Sequence, residues 1–140
     1  MDRLFLDANI LFSAAYRADA GLLRLWTLPD VELVASAYAE AEARINLDPG
    51  DQHARLDRLM ASVEVVPQFR AGRCPKGVDL PSKDRTILLA ALEARAPHLL
   101  TGDKDHFGKY FGRVVEGVLI LLPGTYLRGL PPRVVLKPPA

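Results

Sequence analysis

Four acidic residues stand out by where they fall along the chain. Asp7 follows directly on the apolar run Leu4-Phe5-Leu6, with no Gly or Pro turn between them. Glu42 lies inside a helical stretch from Ala37 to Leu47, and Asp84 falls in the first turn of a helix announced by Pro81-Ser82. Asp103 comes after the short run His98-Leu99-Leu100-Thr101, which Gly102 breaks, and Asp105 follows at once. Two like charges about 4 Å apart repel by about 1 kcal/mol in water and by about 4 at an effective dielectric of 20. Carboxylates gathered in one place therefore call for a cation. Oxygen donors alone select hard ions, so Mg2+ or Mn2+ fits this set and zinc does not. Such ions hold phosphates and activate water for in-line attack. Other chemistries lack their residues. The histidines show no HxxH or HExxH spacing, Cys74 has no CxxC partner, and neither a GxSxG elbow nor a GxxxxGK[ST] phosphate loop occurs.

The elements that must position these acids alternate in type. Leu4–Leu6 reads as a buried strand, Ile10–Tyr16 as a helix, and Gly21–Leu28 as a second short helix whose Trp26 belongs to the core. Val31–Ala35 is a strand, and Ser36 caps the helix that follows. Asp48-Pro49-Gly50 closes that helix. Asp51–Ser62 is amphipathic, with Leu56, Leu59 and Met60 inward and His53 solvated. Val63–Val66 is a strand, and Phe69–Asp79 a Gly/Pro/basic loop. Ser82 is the expected cap of an apolar helix that Pro97 stops, and His98–Thr101 and Val118–Leu122 are the last strands. This order predicts a three-layer α/β/α domain around a parallel sheet of five strands. In such sheets ligands sit beyond the carboxyl ends of the strands, which brings Asp7, Asp84 and Asp103 to one edge.

Two glutamates compete for the place on the second long helix, and Glu40 and Glu42 are about 200° apart around its axis. Glu40 precedes Arg44 by four residues, the favourable spacing for a surface ion pair. Glu42 shares its side with Tyr38 and Ile45, an apolar side on which a carboxylate needs a partner or a metal. Glu42 is therefore the choice.

Composition sets the outer limits. The chain has 140 residues, 49% apolar and 25% charged, which suits one globular domain with a real core. A net charge of +1 names no partner by itself. A single cysteine, no apolar run long enough for a membrane span and no signal-peptide pattern make a cytoplasmic protein the expectation. Residues 1–130 form the expected domain. The tail Pro131–Ala140, PPRVVLKPPA, reads as an extended Pro-rich arm.

At these residues the chain resembles the PIN-domain ribonucleases over nearly its whole length. The resemblance rests on Asp7-Ala8-Asn9 after the first strand, Ser36 at the end of the second with Glu42 six residues on, Asp84 opening an apolar helix, and Thr101-Gly102-Asp103 with Phe107 nearby. Small members of the family are similar to the VapC-like toxins of bacterial type II toxin–antitoxin pairs. The resemblance implies Mg2+- or Mn2+-dependent cleavage of RNA by a metal-activated water, leaving 3′-hydroxyl and 5′-phosphate ends. Asp7, Glu42, Asp84 and Asp103 would hold the metal, with Asn9, Thr101 and Ser36 as hydrogen-bonding supports behind them. Asp105 is either an outer helper of the metal or a cap for the segment after it. A cognate antitoxin and a homodimer are the partners the resemblance implies.

The rival readings fit less well. A phosphatase-like phosphoryl-transfer enzyme of the haloacid-dehalogenase kind needs Asp-x-Asp after the first strand, and Asn9 stands at the second position. A receiver domain needs a lysine after a late strand, where this chain has Leu122-Pro123-Gly124. A non-catalytic RNA-binding or protein-interaction module on the same fold is the other alternative, against which stands the presence of all four acids. Because those acids repel a polyanion, something basic must flank them. Lys83 and Arg85 bracket Asp84, and Lys104 lies between Asp103 and Asp105. The helix assignment has a direct check in an RNA cleavage assay. Glu42→Gln is expected to abolish cleavage with the fold intact. Glu40→Gln should keep activity and cost at most about 0.5 kcal/mol, as an exposed i,i+4 pair does.

Overall fold

Short, doubly buried strands make the frame. The computed structural model describes residues 2–67 and 74–129; the expected arm 131–140, Leu130 and much of the expected loop before Asp79 lie outside them. The elements run β1 (Asp2–Leu6), α1 (Ala8–Tyr16), a 3-10 turn Gly21–Thr27, β2 (Val31–Ser36), α2 (Ala37–Asn46), α3 (Asp51–Met60) and β3 (Val63–Val66). They continue with α4 (Ser82–Glu93), β4 (His98–Leu100), α5 (Lys104–Phe107), a 3-10 turn Gly108–Tyr110, β5 (Val114–Val115), β6 (Val118–Leu121) and α6 (Pro123–Gly129). The sheet order is β3-β2-β1-β4-β6-β5. Every pairing is parallel except the last, β5 with β6. Right-handed crossovers put α1, α2 and α3 on one face and α4 on the other.

The five expected strands are all present, and the sheet has a sixth, β5, which the sequence reading missed. It is two residues long, too short to show alternation, and returns through Glu116-Gly117 at φ 46° and 89°. Positive φ at both turn residues is the tight hairpin geometry that matches strand twist. Glu is an uncommon residue there, so the turn carries little sequence signal.

The centre of the sheet explains why so few residues suffice. Leu4, Phe5, Leu6, Val34, Ala35, Leu99, Leu100 and Ile120 are fully buried. Parallel strands covered on both faces read as unbroken apolar runs, as these do. Trp26 packs against this core and donates its indole N–H to the Leu59 carbonyl at 3.0 Å. No helix among the described residues is long and apolar enough to cross a membrane.

Several local expectations give way to better physical solutions. Pro81, not Ser82, is the N-cap of α4; Ser82 is the first helical residue, and its carbonyl accepts from the Thr86 hydroxyl at 3.1 Å. The helix ends before Pro97 acts. Arg95 turns left-handed at φ 54°, Arg95 N–H reaches the Leu92 carbonyl, and Ala96 N–H reaches that of Ala91 at 3.1 Å. This is the Schellman closure, built on an arginine where glycine is usual, with proline following. His53 is half-buried rather than solvated. Its Nε2 lies 2.8 Å from the Arg44 carbonyl and 3.1 Å from that of Leu47, so it ties down the end of α2. Carbonyls only accept, which fixes the proton on Nε2.

Ser36 matches its expected place. It is fully buried at the end of β2, and its Oγ accepts the Ala39 N–H at 3.1 Å. That hydrogen bond sets the start, and so the phase, of the helix carrying Glu42. Ser36→Ala would strand a buried N–H, so it is expected to cost about 1–2 kcal/mol in urea unfolding.

Candidate metal centre

The site forms where the strand order reverses. Chain leaving β1 turns into α1, and chain leaving β4 turns into α5. The register sets Leu6 beside Leu100, so Asp7 and Thr101 emerge side by side. Asp7 N–H donates to the Leu100 carbonyl at 3.1 Å, extending the ladder by one rung.

Asp7 is 5% exposed, and each of its two oxygens is hydrogen-bonded. Oδ1 accepts the Ala8 N–H at 2.7 Å, capping α1, while Oδ2 accepts the Thr101 hydroxyl at 2.8 Å and the Asn9 amide at 3.2 Å. The Thr101 oxygen in turn accepts from Asn9 Nδ2 at 3.2 Å and from the Asp103 N–H at 3.1 Å. Asn9 Oδ1 takes the Gly102 N–H at 2.8 Å. A Cβ on Gly102 would stand 3.3 Å from that same Oδ1, so the absence of a side chain permits the close approach. Burial pushes the Asp7 carboxyl up to about 6. The Thr101 and Ala8 hydrogen bonds pull the other way, and the charges of Asp84 and Asp103 add to the rise.

Asp84, in the first turn of α4, is 4% exposed. Burial first, then the Asp103 charge, hold its carboxyl above the ordinary range, opposed by His106 and Lys83. Asp103 behaves differently. It caps α5, its Oδ1 accepting the N–H groups of Asp105 and His106 at 3.1 Å each, and its Oδ2 faces His106 Nδ1 at 2.9 Å. Burial acts upward on it, but the N–H and imidazole of His106 and the N–H of Asp105 outweigh that and hold it below the usual value.

His106 is the residue that sequence reasoning missed. Its Nδ1 lies 3.0 Å from Asp84 Oδ2 as well as 2.9 Å from Asp103 Oδ2. One ring N–H serves one acceptor, and the Asp84 oxygen is left buried without a well-formed hydrogen bond. The signal was present in Asp103-Lys104-Asp105-His106: a residue three past an N-cap folds back onto it, as in a capping box. A search for paired histidines passes over this spacing. Ligand atoms of Asp84, Asp103 and His106 all lie within 4.8 Å of one another.

Asp7 and Glu42 line the same cavity of about 420 Å³ as Asp84 and Asp103, outside that three-residue group. Glu42 Oε1 accepts the Tyr38 hydroxyl at 3.1 Å. Its side of α2 is not the apolar one expected, because Ile45 is 81% exposed; of the two expected companions, Tyr38 is the one that meets Glu42. Glu40 pairs with Arg44 at 3.3 Å. Among the expected basic residues, Lys83 lines the cavity, Arg85 turns back to donate to the Leu80 carbonyl at 3.3 Å, and Lys104 is exposed. Asp105 is exposed and contributes its N–H to the Asp103 cap. A buried carboxylate oxygen without a partner, beside further acids in an open cavity, fits a divalent cation.

No protein family and no curated protein sequence matches the chain. Solved structures do. The VapBC2 complex of Rickettsia felis, bound to a DNA fragment from its promoter, aligns at a TM-score of 0.58 and 16% identity over 84% of this chain and 96% of that one. The fold is a PIN-domain fold. The sarcin–ricin-loop-cleaving toxin VapC20 of Mycobacterium tuberculosis aligns at 0.54 and 16% identity, covering 81% of this PIN-like chain and 97% of its own. FitAcB of Neisseria gonorrhoeae aligns at 0.57 and 21%, covering 86% and 98%.

The raised Asp7 pKa has a definite consequence for metal-free protein. Between the ordinary value of 3.8 and about 6 the folded state holds a proton that the unfolded state releases. Stability attributable to Asp7 is therefore full below pH 4 and lost as pH rises through 6, by up to about 3 kcal/mol. Asp7→Asn does not titrate. In thermal melts with a chelator, its stability relative to wild type should rise by about 1–3 kcal/mol from pH 4 to pH 7 and level off above.

Proposed function

We propose that this protein is a metal-dependent endoribonuclease using Mg2+ or Mn2+, and that it acts as the toxin of a toxin–antitoxin pair in the cytoplasm. The observation that carries the reading is the convergence of Asp7, Glu42, Asp84 and Asp103 on one cavity at the switch point of a PIN-like sheet, with an Asp84 oxygen buried and unpartnered. The solved structures with the same fold support it, one being described as a sarcin–ricin-loop-cleaving toxin and another as VapBC2 bound to a DNA fragment from its promoter. An antitoxin and a second copy of the chain are the proposed partners, and RNA the substrate.

In this reading Asp7, Glu42, Asp84 and Asp103, which line one cavity, would hold the cation. A bound divalent ion supplies charge neutralisation at the phosphate and lowers the pKa of water. The chain's own residues do the rest. Thr101 and Asn9 fix the Asp7 carboxylate in one orientation, so no rotation is needed when substrate arrives. Tyr38 does the same for Glu42. Lys83, on the cavity wall, holds a phosphate of the strand and offsets the repulsion of the acids.

Purified protein is expected to cut single-stranded or structured RNA with Mg2+ or Mn2+ and not with a chelator. Asp84→Asn should fold and fail to cut. RNA left intact in every metal by a folded, cation-binding protein would overturn the nuclease reading in favour of a non-catalytic RNA-binding module. Binding is best measured in Ca2+, to occupy the site without turnover. Lys83→Ala should then lower the slope of log K against log salt by about 0.7, and Arg85→Ala should leave it unchanged, since that guanidinium is engaged by Leu80.

A further inference from the structure

His106 has no part in the carboxylate chemistry just described, yet its ring stands beside the unpartnered oxygen. Its Nδ1 stands 3.0 Å from Asp84 Oδ2 and 2.9 Å from Asp103 Oδ2. In an octahedral site with bonds of about 2.1 Å, adjacent ligand atoms are about 3.0 Å apart. Both nitrogen–oxygen pairs thus already stand at the spacing of neighbouring ligands around one ion, and ligand atoms of all three residues lie within 4.8 Å of one another. A hydrogen bond uses the arrangement poorly, because a single N–H lies between two carboxylates and leaves the Asp84 oxygen orphaned in a buried position. An ion in place of that proton serves both oxygens and the ring nitrogen at once.

The geometry points to His106 as a nitrogen ligand that makes this site prefer a first-row transition ion, Mn2+ among them, over Mg2+. The inference rests on the metal-dependent reading above and goes beyond it by naming what sets the choice of ion. The ring can meet the requirement. As a ligand Nδ1 must be deprotonated, so the proton moves to Nε2, and a side chain 41% exposed leaves room for that N–H to be hydrated. The position is also held. The His106 N–H is fixed on Asp103 Oδ1 at 3.1 Å, and the next residue, Phe107, is fully buried. Imidazole suits transition ions, whereas Mg2+ favours carboxylate, phosphate and water oxygens and keeps several waters.

The test binds Mn2+ and Mg2+ separately to the full chain and to His106→Asn, which keeps a hydrogen-bond donor for the Asp103 cap. Calorimetry gives the affinities, and pulsed electron paramagnetic resonance on Mn2+-loaded protein carrying 15N-histidine reports nitrogen bound to the ion. His106, and neither His53 nor His98, has its ligand atom grouped with those of Asp84 and Asp103, so a coupling lost in His106→Asn belongs to His106. Expected are a directly bound 15N in wild type, its loss in the variant, and a fall of about tenfold or more in Mn2+ affinity, while Mg2+ affinity moves by about threefold at most. Bound Mn2+ without nitrogen coupling, or an unchanged ratio of Mn2+ to Mg2+ affinity in the variant, overturns the assignment of His106 and leaves the nuclease reading untouched. Nitrogen coupling in a protein that cuts no RNA upholds His106 and removes the nuclease. No Mn2+ binding at all removes both.

Discussion

The hydroxyl of Thr101 holds the site together. It donates to Asp7 and accepts from Asn9 and from the Asp103 backbone, and so joins the end of β1, the start of α1 and the chain after β4 in one balanced set of hydrogen bonds. Its own position is inherited from the sheet, because Thr101 N–H is bonded to the Leu121 carbonyl and the preceding residues sit in register with β1 and β6. The placement of two acids is therefore fixed by backbone pairing and by one fully buried side chain. Buried polar networks of this kind are rigid when every member is satisfied, and each of these members is.

Around that latch the acids are not equivalent. Asp7 and Asp84 are pushed toward the neutral form, chiefly by burial, while Asp103 is held ionised by the N–H groups and ring of α5. The cavity therefore contains one carboxylate that the fold stabilises as an anion and two that it does not. A bare cluster of equal charges would oppose folding throughout; this one concentrates the unfavourable part on two groups whose relief is a cation. Local electrostatic strain at a functional site is tolerated because the core beneath it, from Leu4 to Leu100, is closely packed and apolar on both faces of the sheet.

Most of this was legible in the chain because the signals were strong where the site needed them. Doubly buried strands are unbroken apolar runs, so the residues just after them were identifiable, and Asp7, Thr101 and Asp103 followed. The PIN-like order of elements was equally plain, since each crossover needs its helix. What stayed hidden had little signal of its own. A two-residue strand turning on Glu116 has neither length nor the usual turn chemistry. The end of α4 read as the work of Pro97, whereas backbone hydrogen bonds around a left-handed Arg95 do it first. Glu42 was chosen partly through Ile45, which is exposed; the choice agrees with the cavity because Ser36 sets the helix phase. His106 escaped because its role comes from Asp103 capping a helix of four residues, a local i,i+3 arrangement that no paired-histidine spacing records.

The pairing of β1 with β4 also governs when the site comes into being. Asp7 and Thr101 are 94 positions apart, and the hydrogen bond between them closes a loop of most of the chain. Contacts of such long range form late, after the entropy of closure has been met by other pairings. During synthesis β1, β2 and β3 emerge first and can build one half of the sheet with Asp7 at its rim, but the other wall of the cavity does not yet exist. The cavity is thus incomplete through most of the chain's own manufacture, and it closes only once the strand at His98–Leu100 and the Asp103 that follows it have joined the sheet, not gradually with length.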